Sequence, residues 1–121
     1  LVYGTVDTNL SVQETEENTG EKVMEPTTAA RLRAYMESTA RFGTARIGAP
    51  QNCVSGIKTG TAQTGVYDEN GEEIENYWYA GYICNAQEEP LYTLVVLEET
   101  AGETHVPQAF RKIGEALVDF N

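Results

Sequence analysis

Lys58, Thr59, Gly60 and Thr61 stand consecutively and bring together an ammonium, two hydroxyls and a backbone position without a side chain. Lys-Thr beside glycine first raises phosphate binding. A phosphate-cradling P-loop needs Gly directly before the Lys and a further Gly upstream of it. Position 57 is Ile, so that chemistry is set aside. The other chemically capable residues stand apart. His105 is the single histidine, lies in a polar stretch and reads as the start of a helix rather than as a member of a catalytic triad. The sequence Asp68-Glu69-Asn70-Gly71 opens like a calcium loop, but an EF-hand starting at Asp68 requires Gly at 73, where Glu stands. Cys53 and Cys84 fit no zinc spacing and have no histidine partner. They leave two readings, a cross-strand disulfide or two buried free thiols. Trp78 and its tyrosine neighbours also leave two, a ligand platform or part of a core. No metal and no cofactor is expected.

Nineteen acids against eight bases give a net charge of −11. Such a surface repels phosphate backbones and anionic membranes, so no nucleic-acid partner is expected. The acids cluster at 14–17, 68–75, 88–89 and 98–99 and read as solvated loops and strand ends. None has the apolar surroundings that a glycosidase acid needs to hold its proton. No apolar run reaches the ~20 residues of a membrane helix.

The elements that must position the motif follow from periodicity. Residues 1–6 read as a strand, 7–20 as a polar loop and 21–24 as a second short strand. A helix opens at Pro26-Thr27-Thr28, with a Thr hydroxyl as its N-cap and Gly43 as its C′ residue. Its apolar face is Ala29, Leu32, Tyr35, Met36, Thr39 and Phe42. Residues 53–63 read as a strand bearing the motif, 65–76 as a loop with an Asn70-Gly71 turn, and 77–84 as an aromatic strand. Residues 85–90 form a turn. The near-continuous apolar run 91–98 is expected at the centre of a sheet covered on both faces. Val106, Ala109, Phe110, Ile113, Leu117 and Phe120 mark a closing helix. The fold class is α+β: an antiparallel three-strand meander, with short N-terminal strands, packed against two helices.

The stretch Val54-Ser55-Gly56-Ile57-Lys58-Thr59-Gly60-Thr61-Ala62-Gln63 resembles the Lys-Thr-Gly motif strand of the penicillin-binding protein transpeptidase domain, within the superfamily of serine D,D-transpeptidases and β-lactamases. Tyr77-Trp78-Tyr79-Ala80-Gly81-Tyr82 is similar to the aromatic strand that follows it there, residues 91–98 to the next strand, and Ala109-Phe110-Arg111-Lys112-Ile113-Gly114 to the start of the closing helix. Upstream, Phe42-Gly43-Thr44-Ala45 resembles the passage from helix to Gly-Thr ahead of the motif. The ordered likeness covers 23–121, and more loosely 1–22. It departs from the commonest pattern in having Ile57 where many members place Gly, a position at which related D,D-carboxypeptidases accept an apolar residue.

The resemblance implies that Lys58, Thr59, Gly60 and Thr61 form one wall of a catalytic site. Lys58 supplies a fixed charge for a substrate carboxylate, Thr59 and Thr61 offer it hydroxyls, Gly60 admits the substrate backbone, and the Thr61 N–H faces a developing oxyanion. It also implies a nucleophilic serine in Ser-x-x-Lys on a helix, and a Ser-x-Asn element. Ser55 and Lys58 match the first by spacing alone, but on a strand they point to opposite faces. No Ser-x-Asn or Tyr-x-Asn surrounds Ser11, Ser38 or Ser55. Residues 1–121 are therefore expected to be the C-terminal part of such a domain and inert alone. The implied partners are D-Ala-D-Ala stem peptides of peptidoglycan, β-lactams and the missing N-terminal part of the domain, with self-association of the fragment through exposed apolar faces. The implied location is the extracytoplasmic face of a bacterial membrane. A serine β-lactamase, a D,D-carboxypeptidase and a β-lactam sensor share the motif strand. The reading from a different class is a non-catalytic module that binds an extended peptide by strand addition.

Overall fold

The computed structural model describes residues 4–14 and 21–120, with the side chains of 4–6 and 14 left aside. In chain order the elements are β1 (Gly4–Val6), β2 (Val12–Glu14), α1 (Pro26–Phe42), a 3-10 turn (Arg46–Gly48), β3 (Ser55–Tyr67), β4 (Glu73–Cys84), β5 (Pro90–Thr100) and α2 (Val106–Asp119). Strands β1 and β2 form a separate antiparallel hairpin. Strands β3, β4 and β5 form an antiparallel meander in that spatial order. This is the expected α+β arrangement.

One turn chemistry closes all three hairpins. Asp7, Asp68 and Asn85 each begin a five-residue loop whose first N–H bonds to the carbonyl of its last residue, Ser11, Glu72 and Glu89 respectively. In each, the side-chain Oδ1 accepts the N–H groups two and four residues on, at 2.8–3.0 Å. These are Asx turns, in which the side chain replaces a backbone acceptor. The fourth loop residue then takes a left-handed conformation: Leu10 at φ 63°, Gly71 at φ 82° and Glu88 at φ 61°. Only Gly71 suits that geometry without steric penalty. The Asp7 turn also explains a correction. The second N-terminal strand lies at Val12–Glu14, inside the stretch read as loop, and residues 21–24 form no strand. Val23 is exposed there and Lys22 pairs with Glu25 at 2.9 Å. Residues 1–3 of the expected first strand lie outside the described residues.

Phe110, Ile57, Ile83 and Val106 are the largest fully buried apolar side chains, joined by Tyr79, Ala40 and Ala45. The Tyr79 and Phe110 rings meet at 5.7 Å between centroids. That contact assigns odd-numbered residues of β3 and β4 to the face covered by α2. Helix α2 approaches closely because Gly114 has no side chain: a Cβ there would stand 2.6 Å from Pro50 Cγ and 3.0 Å from Ile83 Cδ1. Val106, Phe110 and Gly114 therefore make the inner face, and Ile113 and Phe120, both expected inward, are exposed.

Helix α1 also presents a different face from the one expected. Its buried and half-buried residues are Ala29, Met36, Glu37, Thr39 and Ala40, whereas Leu32, Tyr35 and Phe42 are exposed. Polar contacts set this rotation. The Tyr82 hydroxyl donates to Glu37 Oε1 at 2.9 Å, and the Arg33 guanidinium lies over the Tyr82 ring at 5.6 Å. Burial, reinforced by Glu37, pushes the Tyr82 hydroxyl up to about 12. The N-cap is Glu25 without a side-chain bond, in place of the expected Thr, and Gly43 ends the helix in an extended conformation.

Strands β3 and β4 run longer than expected, leaving only residues 68–72 between them. Strand β5 is an edge, not the centre. On its face opposite α2, Val95 is 55% and Leu97 48% exposed. An apolar run on both faces shows that both avoid water, not which partner covers them. Cys53 and Cys84 are both free, as in the thiol alternative, and burial raises both thiol pKa values.

Two stability predictions follow from turn and strand geometry. Glu88→Gly relieves the left-handed residue and should raise unfolding stability by about 1 kcal/mol in urea titrations. Gly81→Ala drives a Cβ to within 2.2 Å of the Gly56 carbonyl oxygen on the neighbouring strand. It should lower stability by about 3 kcal/mol in the same assay, and a change within error would show that the two strands part easily.

Candidate functional site

The phase of the β3–β4 ladder decides what the motif strand shows to solvent. Cys84 N–H donates to the Val54 carbonyl at 2.9 Å, and the register pairs Ser55 with Ile83, Ile57 with Gly81, Thr59 with Tyr79 and Thr61 with Tyr77. In antiparallel pairs, hydrogen-bonded and non-bonded positions alternate. With Val54 bonded to Cys84, positions 56, 58, 60 and 62 turn their N–H and C=O towards β4. Positions 55, 57, 59 and 61 turn theirs outward. The Ile57 carbonyl confirms the phase, because it accepts the Thr39 hydroxyl from α1. The outward groups of Thr59 and Thr61 lie further along this edge, and among the described residues no strand pairs with it.

The four predicted residues are thus one continuous edge with two faces. The Lys58 side chain is exposed on the face opposite α2, and its Nζ bends back to donate to the outward Thr59 carbonyl. Gly60 shares that face with Trp78, its register partner, and a Cβ at Gly60 would stand 3.5 Å from Trp78 Cβ, an ordinary contact. Trp78 is 38% exposed, so the buried aromatic of this strand is Tyr79. The Thr59 and Thr61 side chains lie on the α2 face. Ammonium and hydroxyls therefore flank the edge from opposite sides, and between them lie backbone donors and acceptors that no strand among the described residues pairs.

Thr44 belongs to this arrangement and carries no role in the sequence reading. Its hydroxyl stands 3.1 Å from the Thr59 hydroxyl. Its carbonyl accepts the Tyr79 hydroxyl at 3.3 Å, which ties the residue to the core. The signal was present: Gly43 ends α1, and Thr44 is the first hydroxyl after it. Thr39 is the second such residue, holding the strand edge at Ile57.

Ser55 is buried on the α2 face, and Lys58 is exposed on the opposite one. The two do not meet, as the strand geometry required. His105 caps α2, its Nδ1 3.3 Å from Glu98 Oε1. Glu98 is held below the usual carboxylate range by the Thr104 hydroxyl, then by the His105 N–H. Asp68 has its carboxylate committed to the turn. Neither belongs to the motif edge.

Searches of curated proteins and of solved structures each returned no match. The family model described as the penicillin binding protein transpeptidase domain matches residues 1–115. That match takes in the helix, the motif edge, the aromatic strand, the apolar edge strand and most of the closing helix, and the chain belongs to the penicillin-binding protein transpeptidase domain family.

Proposed function

We propose that this chain forms the substrate-holding wall of a serine D,D-transpeptidase that acts on the D-Ala-D-Ala ends of peptidoglycan stem peptides and is acylated by β-lactams. The observation that carries this reading is the outward edge of β3, where Thr59 and Thr61 offer backbone N–H and C=O groups beside the Lys58 ammonium. An extended peptide can hydrogen-bond to such an edge as an added strand. Its terminal carboxylate would find Lys58 and the paired hydroxyls of Thr44 and Thr59. The Thr61 N–H would stabilise charge on the carbonyl oxygen under attack.

The reaction needs a serine hydroxyl, which forms an ester with the penultimate residue's carbonyl as the terminal D-alanine leaves with the proton. Residues 1–121 contain no Ser-x-x-Lys on a helix and no Ser-x-Asn. The nucleophile in this reading belongs to a part of the domain outside them, working on the extracytoplasmic face of the membrane. The uncovered sheet face bearing Trp78, Val95 and Leu97 gives that part, or a second copy of the chain, an apolar surface to cover.

Labelling with fluorescent penicillin tests the proposal. Residues 1–121 alone should take up no covalent label, and the protein with its serine-bearing segment should. In that protein, Thr61→Pro removes the outward N–H at an edge position that tolerates proline. It should slow acylation roughly 10²–10³-fold, while Thr61→Ser leaves it within a few fold. Labelling of residues 1–121 alone would overturn the assignment of the nucleophile. Peptide binding without acylation, even with the upstream segment present, would leave the strand-addition module as the reading.

A further inference from the structure

Eight basic residues serve the whole chain against nineteen acids, yet three of the eight, Arg41, Arg46 and Arg111, line one cavity of about 270 Å³. It lies where the end of α1, the 3-10 turn, the start of β3 and α2 converge. Pro50, Gln51, Cys53 and Ser55 also line it, and among the described residues no carboxylate does. Like charges gathered in a partly enclosed space repel one another, so the cluster is unfavourable unless something offsets it.

The neighbouring acids hydrogen-bond elsewhere rather than pairing with it. Glu115 Oε1 accepts the Gln51 N–H at 3.1 Å, and Asp119 Oδ1 accepts from Asn52 Nδ2 at 3.1 Å. Among the described residues, none of the three arginines forms an ion pair. One donor is also left over. Arg111 fixes its guanidinium by donating to the Ile47 carbonyl, and its Nε is buried without any hydrogen-bond partner. Ser55 is only 5% exposed and also lines the cavity, bringing a hydroxyl to its wall. A buried donor such as Arg111 Nε is normally satisfied.

From this cavity we infer a binding site for a phosphate group. Phosphate presents several acceptor oxygens around one centre and carries close to two negative charges, which suits several guanidinium forks and a hydroxyl together. A monovalent carboxylate would balance only one of the three cations. Ser55 opens β3, so the site lies roughly 20 Å along the strand from Thr61. It does not depend on the proposed catalytic role of the motif edge. A free phosphate ion and a phosphomonoester carried on a larger molecule share this chemistry.

Isothermal titration at fixed ionic strength tests it, with inorganic phosphate, glycerol 3-phosphate and acetate as separate probes. One saturable site for a phosphate probe is expected, with acetate at least tenfold weaker. Arg41→Gln and Arg46→Gln alter exposed side chains, so these variants should keep the wild-type circular dichroism spectrum. Each should weaken phosphate binding roughly tenfold, and Lys112→Gln should not. Tighter binding of inorganic phosphate identifies the free ion as the ligand, and tighter binding of glycerol 3-phosphate identifies the carried group. Absence of saturable binding, equal binding of acetate, or unchanged affinity in both arginine variants would overturn the inference.

Discussion

Everything the motif strand offers depends on the phase of one antiparallel ladder. The bond from Cys84 N–H to the Val54 carbonyl commits even-numbered residues of β3 to β4, and leaves the backbone of Thr59 and Thr61 facing outward. A slip of one residue would exchange the two sets and also move every side chain to the other face. Packing prevents the slip. Ile57 and Ile83 must face α2 to be buried against Phe110, and the position opposite Ile57 is Gly81, where the Gly56 carbonyl leaves no room for a Cβ. The same hydrophobic demand that builds the core therefore sets which polar groups reach the edge.

The edge is then divided by α1. Thr39 at the helix's last full turn occupies the Ile57 carbonyl, and Thr44 just beyond the helix meets Thr59. Before that point the strand is covered, and after it the strand is open. Tyr79 links the two halves, because its ring packs on Phe110 while its hydroxyl holds the Thr44 carbonyl. A single buried tyrosine thus connects the core to the first polar contact of the open edge. A helix that stopped a turn later would cover Thr59, and one that stopped a turn earlier would release Ile57.

What was legible in the sequence was whatever depends on local order. The Lys-Thr-Gly-Thr run, the Asn70-Gly71 turn and the ends of both helices are written in neighbouring residues. So is the meander, since connections this short allow only antiparallel neighbours. The faces of the helices were not legible. Leu32, Tyr35 and Phe42 form a convincing apolar stripe, but α1 is held through Arg33 and Glu37 on Tyr82, a contact between residues more than forty positions apart. Gly114 carries no hydrophobic signal, yet it sits at the closest approach of α2. The edge position of β5 was hidden for a related reason: side-chain hydrophobicity reports a need for cover, not the identity of the cover. Thr44 has a local signal in the Gly43 that ends α1, but what gives it importance is a 3.1 Å distance to Thr59, fifteen positions away, which no local pattern states.

Charge placement adds a constraint of its own. With a net charge of −11 the chain as a whole repels an anionic ligand, so any carboxylate or phosphate must be won by local fields. Two of the turns give an acid a structural use, Asp7 and Asp68 each accepting two backbone N–H groups. The bases are spent differently. Lys58 stands on the open edge of β3, a short way beyond Ser55, and Arg41, Arg46 and Arg111 line a cavity at the strand's buried start. Within a Debye length of roughly 8 Å at physiological salt, these positions set the local potential more than the distant acids do. The first part of one strand therefore carries two cationic groups inside an acidic molecule. Their geometries differ, an open strand edge beside Lys58 and a walled cavity beside Ser55, so the same positive charge is presented to a flat surface in one place and to an enclosed space in the other.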